Sequence, residues 1–307
     1  MSRCSLHVTL AGFVGLAGLT LGGALGCNDG HLPPSDPGPS GTGPEGIPVA
    51  LALPVVSGAC TLTDQAGQVT TATWEATTFT FTLGTLYWRL DQQARTAEYG
   101  QTDGQWRESM TRDSHGVLTG FTYEWQGAEY APDSFDQTNT YDSAGRLIGT
   151  KVIYRDGSRS VETMYQYEAE RLTSSATHAE STIAAASDTS TRYLWNDARL
   201  YGREFSAASQ AYSLETRSFD DAGRLVRIDI DGAGLGPAID GTPDLRRDWS
   251  YDGAGRVSQF VSDGTAAFDA PVVDGVPDGT TTFDPACAGI AVRPDVLYGF
   301  QSWLQQN

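Results

Sequence analysis

The chain is poor in positive charge and in histidine. Its 307 residues hold 20 Lys+Arg against 38 Asp+Glu, a formal net charge of −18, and Lys151 is the only lysine. A surface of this sign repels nucleic-acid phosphates, so we expect no nucleic-acid partner. Only His31, His115 and His178 follow the first 26 residues, and His31 and His115 occupy tether and turn sequences that suit no buried general base.

The sequence also lacks short motifs that mark common catalytic sites. It contains no Gly-x-Ser-x-Gly, no His-Glu-x-x-His and no phosphate-binding glycine loop. Glu124, Glu162 and Glu168 lie among aromatic residues, where paired carboxylates could hydrolyse sugars. Glutamate on the solvent face of a strand is the simpler interpretation. We therefore expect no enzyme activity, with a carbohydrate-active enzyme as the alternative.

The first 26 residues are predicted to be a signal peptide. Arg3 is their one charge, and an apolar, glycine-rich stretch runs from Leu10 to Leu25. A cationic start followed by a short apolar centre is typical of secretion signals. The sequence 24–27, Ala-Leu-Gly-Cys, resembles the lipobox of bacterial lipoproteins, although Ala24 replaces the usual leucine. This resemblance implies cleavage before Cys27 and lipidation of that cysteine.

Residues 27–50 are predicted to form a disordered tether, because they are rich in Pro and Gly and poor in apolar residues. A tether of this kind fits between a lipid anchor at Cys27 and a folded body at 51–307. Asn28 is not the aspartate that retains enterobacterial lipoproteins in the inner membrane. We therefore expect a lipid anchor in the outer membrane, with the periplasmic and cell-surface faces both open.

Two cysteines remain for the folded body. Cys4 lies in the predicted signal and Cys27 is the predicted lipid site, which leaves Cys60 and Cys287. Two remaining cysteines in an exported protein favour a disulfide over free thiols. Neither has a neighbouring His or Cys at metal-ligand spacing.

The body is built from a repeated turn. Seven segments share an aromatic residue, Asp, two small residues, Gly, Arg and Leu, with a period of about 27 residues. The best copies are 141–147, 219–225 and 251–257, and degraded copies begin at positions 90, 112, 167 and 195. The turn residues singled out by this pattern are Asp91, Asp113, Gly116, Asp142, Gly145, Arg146, Asp220, Gly223, Arg224, Asp252, Gly255 and Arg256.

Each copy predicts a β-hairpin. The Asp carboxylate accepts a backbone N–H two residues on, and the Gly takes the left-handed conformation of a bulged hairpin. Two strands per repeat give an all-β, antiparallel hairpin-repeat sheet, which we expect to be open or partly closed. Exposed edges need caps, and residues 294–304 place five apolar residues on one helical face. We expect a short capping helix within 284–307, with a partner-binding or membrane-touching helix as the alternative.

The pattern Tyr-Asp-x-x-Gly-Arg-Leu resembles the YD repeats of Rhs-type bacterial proteins, over about residues 86–262. In large members of that family, many such repeats form a β-sheet shell around a toxic C-terminal domain. This chain has too few repeats for such a shell and no toxin-like segment, so the resemblance implies the fold alone. We expect a binding or scaffolding surface for a glycan or protein ligand. The alternative is an accessory or immunity-like partner of an Rhs-type toxin.

Two further features suggest ligands. Asp229, Asp231, Asp240 and Asp244 fall in an Asp- and Gly-rich region, where closely spaced carboxylates suit weak calcium sites. No segment matches the full twelve-residue calcium loop, and solvated turns use the same residues. The seven tryptophans recur with tyrosines through the repeats. On one sheet face they would be core, and on the other a stacking platform for sugars or a protein.

Overall fold

The computed structural model describes most of the predicted body. The described residues are 56–92, 96–126, 133–182, 184–196, 199–207, 210–232, 239–253, 255, 257–264, 273–284 and 287. The predicted signal at 1–26, the tether at 27–50, Arg256 and the helix predicted at 294–304 lie outside them. Within the described part of the chain, no helix is long and apolar enough to cross a membrane.

The described chain folds into one antiparallel sheet of 18 strands. Every strand pairs with its neighbours in sequence, and β1 also pairs with β18, so the sheet closes into a barrel. The strands are β1 (Gly58–Asp64), β2 (Val69–Glu75), β3 (Thr80–Leu83), β4 (Leu86–Leu90), β5 (Thr96–Gln101), β6 (Trp106–Arg112), β7 (Leu118–Trp125), β8 (Phe135–Tyr141), β9 (Leu147–Tyr154), β10 (Arg159–Glu168), β11 (Arg171–Ser181), β12 (Ser187–Asn196), β13 (Arg199–Ala207), β14 (Gln210–Phe219), β15 (Leu225–Asp231), β16 (Leu245–Tyr251), β17 (Val257–Asp263) and β18 (Gly279–Phe283).

This architecture confirms the predicted all-β antiparallel fold and corrects one part of it. The sheet is closed, whereas the sequence suggested an open or partly closed one. The seven repeat hairpins supply β4 to β17, and β1, β2, β3 and β18 complete the ring. Closure pairs every edge, so the sheet has no edge that a helix would need to cover.

Every repeat hairpin carries a β-bulge at the same place. The register skips one residue near the start of the second strand, directly after the position of the repeat leucine. A bulge re-aims neighbouring side chains, and here it turns the preceding residue towards the enclosed face. The residues at that position are all buried: Thr96, Leu118, Leu147, Leu172, Leu200, Leu225 and Val257.

The second, third and sixth repeat turns close through the Asp carboxylate. In the third copy, Asp142 Oδ1 accepts the backbone N–H groups of Ala144 and Arg146, each at 2.9 Å, and Gly145 has φ +81°. The Arg146 Nε atom donates to Asp142 Oδ2 at 2.7 Å. These backbone and guanidinium donors hold the pKa of Asp142 below its usual value. The arginine of the third repeat therefore stabilises its own turn. The sequence pattern alone did not predict this contact.

The other copies vary around this geometry. In the sixth copy, Arg224 Nε donates to Asp220 Oδ2 at 2.7 Å. Asp113 closes the second turn through two backbone N–H groups without an arginine. The Gly255 N–H donates to the carbonyl of Asp252 at 2.9 Å, and Asp91 begins a turn whose later residues lie outside the described ranges. The turn glycines all have positive φ: Gly116, Gly145, Gly223 and Gly255.

A second set of contacts joins each repeat to the next. The Tyr251 hydroxyl donates to the Leu225 carbonyl at 2.6 Å. Tyr141 and Trp195 make the same contact to the leucine carbonyl of their preceding repeats, at 2.6 and 2.7 Å. The repeat arginines also stack on the following aromatic rings, as with Arg224 over Tyr251 at 4.4 Å. Aromatic and arginine positions are therefore links between adjacent hairpins.

The two ends of the barrel differ. One end, called here the turn rim, carries the seven repeat turns. The other, called the loop rim, carries the connections that follow the second strand of each repeat, including the Asp-rich segments after Asp231 and Asp263. Because strand direction alternates, β1 begins and β18 ends at the turn rim. Both ends of the described chain therefore lie at the turn rim.

A disulfide lies beside the pairing of β1 with β18, called here the seam, near the turn rim. Cys60 in β1 and Cys287 after β18 are bonded, with Cα atoms 5.1 Å apart, and both are buried. The β1–β18 register is short and spans only Leu62↔Phe283 to Asp64↔Thr281. The covalent link therefore reinforces the pairing that closes the barrel.

Two Tyr→Phe variants test the links between repeats. Tyr251→Phe removes a hydrogen bond to a carbonyl and should lower the free energy of unfolding by about 1 kcal/mol. Tyr167→Phe is the matched control, since no group in the described ranges forms a hydrogen bond with the buried Tyr167 hydroxyl; it should be neutral or slightly stabilising. Denaturant unfolding measures both, and equal losses would contradict the link.

Removing the disulfide tests the seam. A Cys60→Ser/Cys287→Ser variant should lose about 2–5 kcal/mol of unfolding free energy, because the bond restricts a chain segment of 227 residues in the unfolded state. Denaturant titrations of the oxidised parent, the reduced parent and the double variant measure it. Reductant should destabilise the parent and leave the variant unchanged. A parent insensitive to reductant would show that the seam holds without the bond.

Candidate binding surfaces of the barrel

The outer face of the barrel is polar. Cross-strand ion pairs cover it, including Arg107–Glu124 at 2.7 Å, which Arg155 also joins, and Arg192–Glu204 at 2.9 Å. Barrels embedded in membranes instead present an apolar band to the lipid. The large exposed apolar side chains are scattered rather than banded: Val56, Val69, Ile153, Met164, Tyr201 and Val276. The described part of the outer face is therefore mainly polar.

The enclosed face carries the apolar core in two groups. The larger group lies on β1–β4 and β15–β18 around the seam, and includes Trp74, Phe81 and Trp249. The smaller group, centred on Phe121 and Val152, lies on β7–β10. A core on the enclosed face and charges on the outer face define which side of the sheet faces inwards.

An aromatic stripe joins these two groups. It is formed by residues whose rings contact one another from strand to strand across β3–β9: Phe81, Trp88, Tyr99, Trp106, Tyr123, Phe135 and Tyr154. The Trp88–Tyr99 and Tyr123–Phe135 pairs are stacked, with centroids 4.8 and 5.0 Å apart. Cross-strand aromatic pairs of this kind stabilise a sheet.

Part of the stripe is half-buried and reaches the loop rim. Trp106 is the first residue of β6 and Tyr154 the last of β9, and both ends lie at that rim. Tyr99, Trp106 and Tyr123 keep partial exposure, and Glu108 lies opposite both tyrosines in the register. The aromatic rings can stack on the face of a sugar ring. The neighbouring carboxylate can accept hydrogen bonds from the hydroxyl groups of that sugar.

The tryptophans divide between the two positions that the sequence analysis considered, the buried core and a partly exposed surface. Trp74, Trp88 and Trp249 are buried core residues. Trp106, Trp125 and Trp195 are partly exposed, and Trp303 lies outside the described residues. The sequence did not single out Glu108, because a glutamate in an alternating strand is ordinarily placed on its wet face.

The Asp-rich loops are stabilised by their own carboxylates. Asp231 is buried and accepts the backbone N–H groups of Asp240 and Gly241 at 3.2 and 2.7 Å. Asp244 Oδ2 accepts the Gly232 N–H at 2.6 Å. Asp229 instead forms an ion pair with Arg246 at 2.7 Å on the outer face of the sheet.

The same design recurs after β17. Asp263 accepts the Gly275 N–H at 2.9 Å, and Asp278 accepts the Gly264 N–H at 2.8 Å. Within the described ranges, no three His, Cys, Asp or Glu residues are grouped as metal ligands. Calcium binding by these loops stays a prediction. In the sequence, each of these two loops begins with Asp-Gly and ends with Asp-Gly-x-Pro-Asp. This repeated pair of motifs was the signal that the two loops have the same structure.

The glutamates considered for sugar hydrolysis are dispersed. Glu124 is paired with Arg107 and Arg155, while Glu162 and Glu168 are exposed on β10. Glu162 borders a shallow depression on the outer face that also contains His178. Hydrogen bonds to Asp188 at 2.7 Å and to Glu180 at 3.4 Å raise the pKa of His178.

A buried carboxylate on the enclosed face is fully committed to ion pairs. Glu215 in β14 contacts Arg203 at 2.5 Å and Arg217 at 2.8 Å. Burial acts to raise the pKa of Glu215, but the charges and hydrogen bonds of the two arginines outweigh it and hold that pKa at about 2. Glu215 is therefore ionised at neutral pH and unsuited to act as a general acid.

Comparisons with known proteins give only distant likenesses. No family model matches the chain, and no curated protein matches it. A solved TcdB2-TccC3-Cdc42 complex aligns with 65% of this chain at 14% identity and a TM-score of 0.32. This chain covers 14% of that chain.

Two porin-like proteins give alignments of similar strength. The protein from Bacteroides uniformis aligns with 76% of this chain and 98% of its own, at 8% identity and a TM-score of 0.40. The protein from Bacteroides vulgatus aligns with 55% of this chain and 91% of its own, at 12% identity and a TM-score of 0.25. These scores are too low to transfer a function, which has to come from the geometry of the barrel itself.

Proposed function

We propose that this chain is a lipid-anchored binding protein of the bacterial outer membrane, held by Cys27 and not by its barrel. The observation that carries the proposal is the position of the chain ends. The described chain enters β1 and leaves β18 at the turn rim, so a tether from Cys27 attaches there. An anchored body would then direct its loop rim away from the membrane. The polar outer face supports a barrel surrounded by water.

The ligand-contacting surface in this proposal is the half-buried part of the aromatic stripe at the loop rim. Tyr99, Trp106 and Tyr123 supply ring faces, and Glu108 supplies an acceptor. Such a set favours a glycan over a nucleic acid, because a sugar offers an apolar face and hydroxyl donors but no repelled phosphate chain. We propose binding and not catalysis, since Glu215 is held ionised and Glu124 is paired with two arginines.

Protease treatment of intact cells tests the anchor. Cells carrying the parent should retain the body in the membrane fraction, and Cys27→Ser should release it into the soluble fraction. Loss of the body from intact cells would assign it to the surface. Protection until the cells are opened would assign it to the periplasm, where an immunity-like role becomes the leading alternative. Identical fractionation of parent and Cys27→Ser would disprove the anchor.

Glycan binding is tested on the purified body. We expect the parent to retain at least one glycan on an immobilised bacterial polysaccharide panel, and Trp106→Ala to weaken that binding about fivefold or more, since stacking of this kind contributes about 1 kcal/mol. Tyr201→Ala is the matched control, because Tyr201 is an exposed aromatic residue away from the stripe. No retained glycan, or equal loss in both variants, would reject the aromatic stripe as the binding surface.

A further inference from the structure

An arginine and an aspartate lie at the loop-rim end of the aromatic stripe. Tyr154 is the last residue of β9 and the last ring of the stripe. The guanidinium carbon of Arg159, the first residue of β10, lies over the Tyr154 ring, 3.8 Å from its centroid. Arg159 Nη2 also forms an ion pair with Asp133, which precedes β8 at the same rim. Arg159 and Asp133 are called here the rim pair.

The rim pair lies beside the rings of the stripe. Arg159 is stacked directly on Tyr154. Burial raises the pKa of Tyr123, and the charges of Glu108 and Asp133 raise it further. Burial also raises the pKa of Tyr154, where the charge of Arg159 opposes the rise and that of Asp133 adds to it. Asp133 is therefore close enough to act on two rings of the stripe.

Solvent reaches the rim pair. The side chain of Arg159 is 34% exposed and that of Asp133 is 52% exposed, so a ligand at the loop rim can contact both without a rearrangement. Tyr99, Trp106 and Tyr123 in the stripe are partly exposed as well. Ring faces and hydrogen-bonding groups are therefore both accessible at this rim.

The rim pair holds donors and an acceptor side by side. Stacking on Tyr154 and pairing with Asp133 keep the Arg159 guanidinium in one orientation, which lowers the entropy lost on binding. A guanidinium has several N–H donors and a carboxylate has several acceptor sites, so one ion pair leaves others for a ligand. Adjacent hydroxyl groups of a sugar match this set, because one can accept from the arginine while the other donates to the aspartate.

The charges at this position disfavour an acidic ligand. The charges that act on Tyr154 are those of one base, Arg159, and two acids, Asp133 and Asp156. Asp156 lies in the connection between β9 and β10, and the whole chain has a net charge of −18. A carboxylate or phosphate on the ligand would be repelled here, whereas hydroxyl groups would not.

We propose that Arg159 and Asp133 bind adjacent hydroxyl groups of an uncharged glycan whose sugar rings stack on Trp106 and Tyr123. This inference rests on the proposed function, because it assigns the hydrogen-bonding part and the charge class of the same site. The two residues would determine specificity. Stacking selects a sugar ring, and the rim pair selects neutral sugars with free hydroxyl groups.

The charge class is tested on the polysaccharide panel. Two acidic members, polygalacturonate and alginate, are added to it, each beside its carboxyl-reduced and therefore uncharged form. We expect the polysaccharides that the purified body retains to be uncharged. We also expect each reduced form to bind at least as well as its acidic parent. Preferential retention of the acidic forms would overturn the assignment of an uncharged ligand.

Titration with the most strongly retained uncharged polysaccharide tests the rim pair itself. Arg159→Met and Asp133→Ala should each weaken binding about fivefold or more, since each removes a charge-assisted hydrogen bond to the ligand. Arg155→Met and Asp136→Ala are the matched controls. They break an ion pair of similar exposure, 43% and 54%, on the outer face, and should leave binding unchanged.

Stability measurements and the Trp106→Ala variant keep the test decisive. All four variants should melt near the temperature of the parent, because exposed ion pairs contribute little to stability. If Arg159→Met does not fold, Arg159→Lys supplies the comparison, since it keeps the charge and loses the planar fork. Binding that is lost in Trp106→Ala but unchanged in Arg159→Met and Asp133→Ala would overturn the rim pair and leave the proposed function standing. Retention of no polysaccharide would overturn both.

Discussion

The structure depends on one local interaction, the capture of backbone N–H groups by the Asp carboxylate of the repeat turn, as at Asp113, Asp142 and Asp220. Asp142 shows it in full, because its two oxygens hold the backbone of the turn and the guanidinium of Arg146. A fixed turn fixes the hairpin register, and the bulge that follows turns Leu147 into the enclosed face. The seven repeat hairpins, three of which show this contact, supply the sheet from β4 to β17. The links from Tyr251 to Leu225 and its equivalents then align each hairpin with the next.

Closure of the sheet explains how a chain with so much acid remains compact. Apolar residues from every repeat face the enclosed side, where burial stabilises them. The acids are distributed between turns, loop closures such as Asp231, and ion pairs on the outer face such as Arg107–Glu124. The pairing of β1 with β18 spans only Leu62↔Phe283 to Asp64↔Thr281, and the Cys60–Cys287 bond lies beside it. The repeat hairpins form most of the barrel wall, and the pairing of β1 with β18 closes it.

The two rims of the barrel carry different connections, so its two ends are not equivalent. The repeat turns and both ends of the described chain share one rim, and the Asp-rich connections share the other. At the loop rim the enclosed face is not uniformly apolar. Trp106 and Tyr154 bring aromatic rings to it, and the ion pair of Arg159 with Asp133 lies beside Tyr154.

The sequence by itself determined the hairpin unit, because Asp, Gly and the alternating strand act within a few residues of one another. It also indicated the Cys60–Cys287 pair by elimination, and the structure contains that bond. Only the tertiary structure decided that the sheet closes, since β1 and β18 lie at opposite ends of the chain and no local pattern announces their pairing. It likewise decided which residues share the enclosed face. Glu215 and Arg203 read as ordinary strand residues in sequence, and they form an ion pair because the register of β13 with β14 places them opposite one another.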